Sequence, residues 1–347
     1  MNKNMNFDNA RRKLLLGAAA LPLIGHAGYS RAQAGVTNLK ISHQFPGGTI
    51  DQGDFRDRLC RKFAAEVQQR SGGAIKMDIY PGSSLMKTNA QVGALRKGAL
   101  DIGLVPLPYA GGEIVETNIG LMPALVTSYE QAAKWKDAEV GRLITQILDA
   151  KGMMILSWIW QAGGAASRNK PLVNPDDAKG MKIRGGSREF DLMLKAAGAS
   201  VISLPSNEIY AAMQTGAMDA AYTSSTSFIS FKLEELAKSF TSAQQKSYWF
   251  MLEPLMMSKK IFDGLPKDQR ELLVTVGAEM EAFGTREARI DDKEAATLYA
   301  KAGAKVFELD DVVIGKWRDI ASATAWKDFA DRNASCAALM KAAQQLT

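Results

Sequence analysis

Among the 347 residues, those suited to nucleophilic or metal chemistry are few: two histidines, His26 and His43, and two cysteines, Cys60 and Cys336. No Cys-x-x-Cys or mixed Cys/His spacing offers a metal site, and neither His-Glu-x-x-His nor a P-loop is present. A Gly-x-Ser-x-Gly turn is absent, and no Gly-x-Gly-x-x-Gly follows a predicted strand. His43, at a strand end, reads as a structural or cleft-lining residue rather than a general base. With no base–nucleophile pair, neither an enzyme nor a resident metal or cofactor is expected. What the chain does offer is a cation placed for an anion. Met181–Arg184 reads as a short strand ending on Arg184. The C-terminal ends of parallel strands border the crevice where such sheets bind ligands. A planar guanidinium there can fork onto a carboxylate through two charge-assisted hydrogen bonds. The competing reading of Arg184 is a surface ion pair, a weak interaction.

The elements that would position Arg184 alternate. Leu39–His43 reads as a strand, 54–70 as a helix ended by Gly72-Gly73, and Ala74–Tyr80 as a strand stopped by Pro81-Gly82. A short helix over 89–97, closed by Gly98, leads into a strand over 101–105. A helix over 128–149 is followed by an apolar strand over Met153–Trp160. Such alternation with short turns predicts βαβ units and a largely parallel sheet. The segment Leu95–Leu104 recurs as Met213–Tyr222: a helix end, a Gly-Ala turn, an Asp, then a strand. Each copy lies deep in its own half of the chain, which predicts two similar lobes with a cleft between them. From Asp268 to Ala302 there is no proline and an apolar face recurs at Leu272, Leu273, Val276, Met280, Phe283, Ile290 and Leu298. As one helix this stretch is about 50 Å long, enough to run along both lobes; the alternative is a break near Gly284-Thr285. Lys305–Leu309 reads as a strand and 314–345 as mostly helical.

The formal net charge is +6, but Lys3, Arg11, Arg12, Lys13 and Arg31 against Asp8 put +4 of it in residues 1–34. The nearly neutral remainder gives no reason to expect nucleic acid as a partner. Arg11-Arg12-Lys13, the apolar run Leu14–Ile24 and Ala32-Gln33-Ala34 have the layout of a secretory signal. The paired arginines resemble a twin-arginine signal with an incomplete flanking consensus. The expected mature start is Gly35, and the expected location is the periplasm. Export permits a disulfide, and Cys60 and Cys336 suit either a bridge or two buried thiols.

Three motifs run through the chain: D-x-K-G-x-K-I-R at Asp177–Arg184, E-x-Y-x-A-x-Q-T-G-x-x-D at Glu208–Asp219, and L-P-x-D at Leu265–Asp268. Together they resemble the DctP-type solute-binding proteins of tripartite ATP-independent periplasmic (TRAP) transporters, over nearly the whole mature chain. The resemblance implies an α/β, two-lobed periplasmic-binding-protein-like fold. Each lobe would hold a mixed, mostly parallel sheet flanked by helices, with a long helix spanning both. The implied division is 35–161 plus 252–291 for the first lobe, and 162–251 plus 292–347 for the second. The partners implied are a small organic acid and integral-membrane permease subunits, with the protein itself a monomer.

The resemblance places the family's carboxylate-clamping arginine on Arg184. It places further ligand-facing positions on Gln44 and Phe45 after the first strand, on Pro106–Tyr109, on Trp160 and Gln161, on Tyr222 and Thr223, and on Trp249. Relatives with a second arginine carry it where this chain has Gly163-Gly164, with Arg168 a few residues on. Relatives that bind through a metal carry a Glu where this chain has Ala221-Tyr222. Glu253-Pro254 alone would leave such a metal one ligand short, so none is expected. One arginine with Phe45, Tyr109, Trp158, Trp160, Tyr222, Tyr248 and Trp249 suggests a monocarboxylate with an apolar or aromatic body, such as a 2-hydroxy or 2-keto acid. Of Trp158 and Trp160, the choice is Trp160, the nearer to the strand end. The alternatives are a C4-dicarboxylate or sugar-acid binder of the same family, or a protein that presents ligand to a sensor.

Overall fold

A computed structural model of the chain describes residues 35–346; the export signal read at 1–34 lies outside them. The elements run β1 (Thr37–His43), α1 (Phe55–Arg70), β2 (Ile75–Tyr80), α2 (Gln91–Lys97), β3 (Ile102–Leu104), α3 (Tyr129–Lys134), α4 (Glu139–Ala150), β4 (Met153–Ser157) and β5 (Trp160–Ser167). They continue through β6 (Lys182–Arg184), α5 (Arg188–Ala196), β7 (Ser200–Val201), α6 (Ile209–Gln214), β8 (Ala220–Ser224), α7 (Ser225–Ser230), β9 (Ser239–Ser242), β10 (Trp249–Leu252) and β11 (Leu255–Ser258). The chain closes with α8 (Lys259–Asp263), α9 (Lys267–Lys301), β12 (Lys305–Glu308), α10 (Asp311–Ala321), α11 (Lys327–Asp331) and α12 (Ala334–Gln344).

Two mixed sheets result, flanked by helices. The first has the order β2-β1-β3-β11-β4, and the second β12-β9-β5-β8-β6-β7 with β10 paired to β5. In the first, β1 runs parallel to β2 and β3, and β11 antiparallel to β3 and β4. In the second, β6 is parallel to β7 and β8, and β12 to β9, while β5 is antiparallel to β8, β9 and β10. The two sequence repeats occupy equivalent places. Gly98 ends α2 at φ 71° and Gly216 follows α6 at φ 77°, left-handed turns that a side chain would strain. The aspartate after each turn then serves the neighbouring parallel strand: Asp101 accepts the Lys40 N–H at 2.7 Å, and Asp219 the Lys182 N–H at 2.8 Å.

The long helix α9 is continuous through Gly284-Thr285, so the break does not occur. It packs on α1, β4 and β5 and then on α7, β9 and β12, and so reaches both sheets. Four expectations about elements and lobes are corrected. The single strand over 153–160 is interrupted at Trp158-Ile159, where the chain passes from the first sheet to the second. The single helix over 128–149 becomes α3 and α4: the backbone turns extended at Ala138 (φ −89°, ψ 171°) before α4 begins, and Trp135 ahead of it is buried edge-on against Trp160 at 5.0 Å. The C-terminal part, 292–347, assigned whole to the second lobe, divides: α12 packs on α4 and on the 3-10 segment Val115–Leu121, beside the first sheet. Trp160, Gln161 and Leu252, assigned to the first lobe, lie on second-sheet strands.

The disulfide between Cys60 and Cys336 is not formed; both thiols are free and buried. Cys60 lies on α1 and Cys336 on α12, and each is held by its own helix packing. Burial pushes the Cys60 thiol well above its ordinary range and the Cys336 thiol up to about 12, so neither is a ready nucleophile. A thiol reagent should therefore label neither cysteine in the native protein and both after unfolding, and reductant should leave the melting temperature unchanged. A reductant-dependent drop in that temperature would show a bridge.

Candidate functional site

Arg184 ends β6 in register with Ala221 of β8 and is 2% exposed. Its Nε donates to the Leu204 carbonyl at 3.1 Å, one terminal nitrogen to the Tyr222 carbonyl at 2.7 Å, and the other to the Tyr109 hydroxyl at 3.0 Å. A guanidinium carries five N–H donors; these three bonds leave one on each terminal nitrogen, the pair a carboxylate fork needs. Tyr109 comes from the loop after β3, on the first sheet, and its hydroxyl also accepts the Ser206 N–H at 2.9 Å. The two sheets thus meet through Tyr109 at the arginine.

The turn after Arg184 is fixed on several sides. The Gly185 carbonyl accepts the Trp249 indole N–H at 3.0 Å, and the Gly185 N–H donates to Asp191 at 3.1 Å. Gly186 sits at φ +104°, and a Cβ there would come 2.8 Å from a terminal nitrogen of Arg184. Ser187 caps α5 by accepting the Phe190 N–H, and its hydroxyl donates to the Leu121 carbonyl at 2.8 Å. Burial raises the Asp191 carboxyl to about 6, opposed by Arg184 and the Gly185 N–H. Beside the arginine is a cavity of about 360 Å³ lined by Tyr109, Asn118, Ser187, Arg188, Ser203 and Glu208 among others. Arg188, at its rim, is half exposed and paired with Asp328 at 2.5 Å.

Of the residues singled out in the sequence, Arg184 and Tyr109 are brought together here. Tyr222 contributes its carbonyl, but its ring packs into the second sheet's core against Phe190 and Tyr248, with the two tyrosine hydroxyls 2.6 Å apart. Trp249 reaches the site only through Gly185. Thr223, the next residue along β8, is buried and does not line the cavity. Trp160 does not line it either. Together with Trp158 it lines a second hollow between α3 and α9.

Phe45, Gln161 and Glu253 gather around the buried Arg56 instead, and Gln44 is buried without lining the cavity. Phe45 lies under the Arg56 guanidinium, 3.4 Å from carbon to ring centroid. The Gln161 amide nitrogen donates to Glu253, whose second oxygen has no hydrogen-bond partner, and neither amide atom of Gln44 has one. Burial raises the Glu253 carboxyl to about 7 against the pull of Arg56. His43 is structural: its ring bonds Asp57 at 3.1 Å and stacks on Phe45. Sequence reading did not select Asn118, Ser187, Ser203 or Glu208 as lining residues; only Ser187 carried a local signal, as a helix cap before an acidic first turn.

The sequence pattern of the family described as "Bacterial extracellular solute-binding protein, family 7", DctP, matches residues 53–333. A "Solute-binding protein" of Albidiferax ferrireducens is 64% identical over 340 residues, spanning 96% of this chain and 99% of that one. The C4-dicarboxylate-binding periplasmic protein DctP of Rhodobacter capsulatus is 27% identical over 310 residues, spanning 88% of this chain and 90% of that one. A crystal structure of a TRAP periplasmic solute-binding protein from Rhodoferax ferrireducens, with bound malonate, superposes with a TM-score of 0.88 at 68% identity, covering 89% of this chain and 98% of the other. With the two mixed sheets, the long helix joining them and an arginine buried at their meeting point, these likenesses settle the family: this chain belongs to the DctP family of TRAP periplasmic solute-binding proteins.

Proposed function

We propose that the chain is exported through residues 1–34 and captures a short dicarboxylate between its two lobes, then hands it to membrane permease subunits as a monomeric carrier. The observation that carries this reading is Arg184. It is nearly excluded from water and held by three protein acceptors, with one N–H left on each terminal nitrogen. A carboxylate taking that fork displaces little water and meets a pre-oriented donor pair, so little ordering cost is left to offset binding.

The solute class is read from the lining. The aromatic residues that suggested an apolar-bodied monocarboxylate mostly stand away from the Arg184 cavity; Tyr109 lines it beside polar Asn118, Ser187, Ser203, Arg188 and Glu208. That set suits a second anionic or hydroxylated group better than an apolar body. The malonate held by the 68%-identical relative supports the same class. Thermal-shift measurements across malonate, succinate, lactate, pyruvate, phenyllactate and glucuronate test it. Ligand at 100 times its Kd adds about 2.7 kcal/mol of stability, so malonate or succinate should raise the melting temperature by several degrees. A shift with phenyllactate and none with either dicarboxylate would restore the monocarboxylate reading; no shift with any acid would overturn capture itself.

A further inference from the structure

Arg56, the second residue of α1, is fully buried and takes no part in the Arg184 cavity. Its Nε and one terminal nitrogen clasp Asp54 at 2.9 and 2.7 Å. The other terminal nitrogen donates to Ser227 at 3.0 Å, Ser224 at 3.4 Å and Glu253 at 3.4 Å. Asp54, α1 and Phe45 belong with the first sheet, whereas Ser224 ends β8 of the second and Ser227 lies on α7 behind it. Glu253 sits in the link between β10 and β11, where the chain passes from the second sheet back to the first, and it also holds Gln161 at the start of β5. The third connection, α9, reaches the same place: Asp291 accepts the Thr226 hydroxyl at 2.6 Å.

We propose that Arg56 is a positioning residue for solute capture: a buried strut at the crossing of all three inter-sheet connections, which sets affinity by holding the two lobes together without touching the solute. The proposal rests on the two-lobe capture reading above. Its hydrogen bonds to Ser224 and Ser227 join groups of the two sheets, and the strut acts by favouring the closed arrangement of the lobes over an open one. A ligand favours a state only by its differential affinity for it, and contacts made only in the closed state add to that difference. An arginine suits the place because one planar fork satisfies Asp54, Ser227 and Glu253 together, which the point charge of a lysine cannot do.

The surroundings give the strut a pH response. Asp54 from the cap of α1, Glu253 from the β10–β11 link and Asp291 from α9 all act on the one cation; Glu294 faces Asp291, and the Cys60 thiol one turn along α1 stays neutral. Burial raises both Glu253 and Asp291 to about 7, against the lowering effect of Arg56. An acid whose closed-state pKa is raised favours the closed state while it is protonated. That advantage falls as pH rises from its solvated value towards about 7. Opening hydrates both acids and releases their protons, so capture weakens from pH 6 to pH 8. Without Arg56 the acids keep only the hydrogen bonds from Gln161 and Thr226 to offset burial, and the pH dependence steepens.

The test is titration calorimetry with malonate at pH 6 and pH 8, together with stopped-flow release rates, for wild type, Ser227→Ala, Ser227→Thr and Arg56→Gln. Ser227→Ala removes one spanning acceptor and spares the buried charges. It should raise Kd three- to tenfold, mostly through faster release, and Ser227→Thr should restore the wild-type rate. Arg56→Gln, where it folds, should cost thirtyfold or more and show the steeper loss at pH 8. If Ser227→Ala binds and releases malonate as wild type does, the proposal is overturned; so too if its melting temperature falls while Kd and release stay unchanged at both pH values. Wild type that binds no acid overturns the capture reading instead, and this proposal with it.

Discussion

Replacing Arg184 with alanine should abolish useful solute affinity while leaving the fold in place. The guanidinium is held by the Leu204 and Tyr222 carbonyls and the Tyr109 hydroxyl, and the pair it would form with a carboxylate is almost entirely desolvated. Truncating one partner of a buried, hydrogen-bonded charge pair costs about 2–5 kcal/mol. A loss near 3 kcal/mol is roughly 150-fold in Kd, readable by calorimetry with malonate. Arg184→Lys should recover only part of it, because an ammonium keeps the charge and loses the fork. The alanine variant also frees two carbonyls and a hydroxyl, so its melting temperature should fall slightly. The decisive comparison is between that small fall and the large loss of affinity. If Kd holds within threefold, the anion is gripped elsewhere.

The second large effect is on stability, at Gly164. This glycine lies on β5, which is paired with β8 on one side and with β9 and β10 on the other. A Cβ at Gly164 would come 1.8 Å from the Thr241 carbonyl oxygen, and one at Gly163 would come 2.0 Å from that of Thr223. The atoms in the way are strand backbone, which cannot rotate aside. Gly164→Ala should therefore destabilise the protein by about 3 kcal/mol, the upper part of the usual range for overpacking. For a chain of this size that is a fall in melting temperature of about 5 °C. The same crowding explains why these positions hold no second arginine: any side chain here would part the strands before it reached a ligand. A Gly164→Ala variant that melts within 2 °C of wild type would mean the sheet yields there more readily than its pairing implies.

The sequence by itself determined what is local along the chain. Apolar spacing made α9 one helix of 35 residues, turn glycines ended α2 and α6, and a duplicated Asp marked two equivalent strand starts. It also put Arg184 at a strand's end, because after Gly180 the apolar Met181 and Ile183 alternate with Lys182 and Arg184. The motifs around it were enough to recognise the family. Which ring faces which cavity was decided only by the tertiary structure. Tyr109 meets Arg184 across 75 residues of chain and Arg56 meets Ser227 across 171. Trp160 lines a different hollow, where it packs against Trp135. Cys60 and Cys336 are both buried as free thiols. The physical reason is the same in each case: periodicity and turn chemistry act over a few residues and leave their mark in the sequence, whereas contacts closed over long loops depend on how whole layers pack.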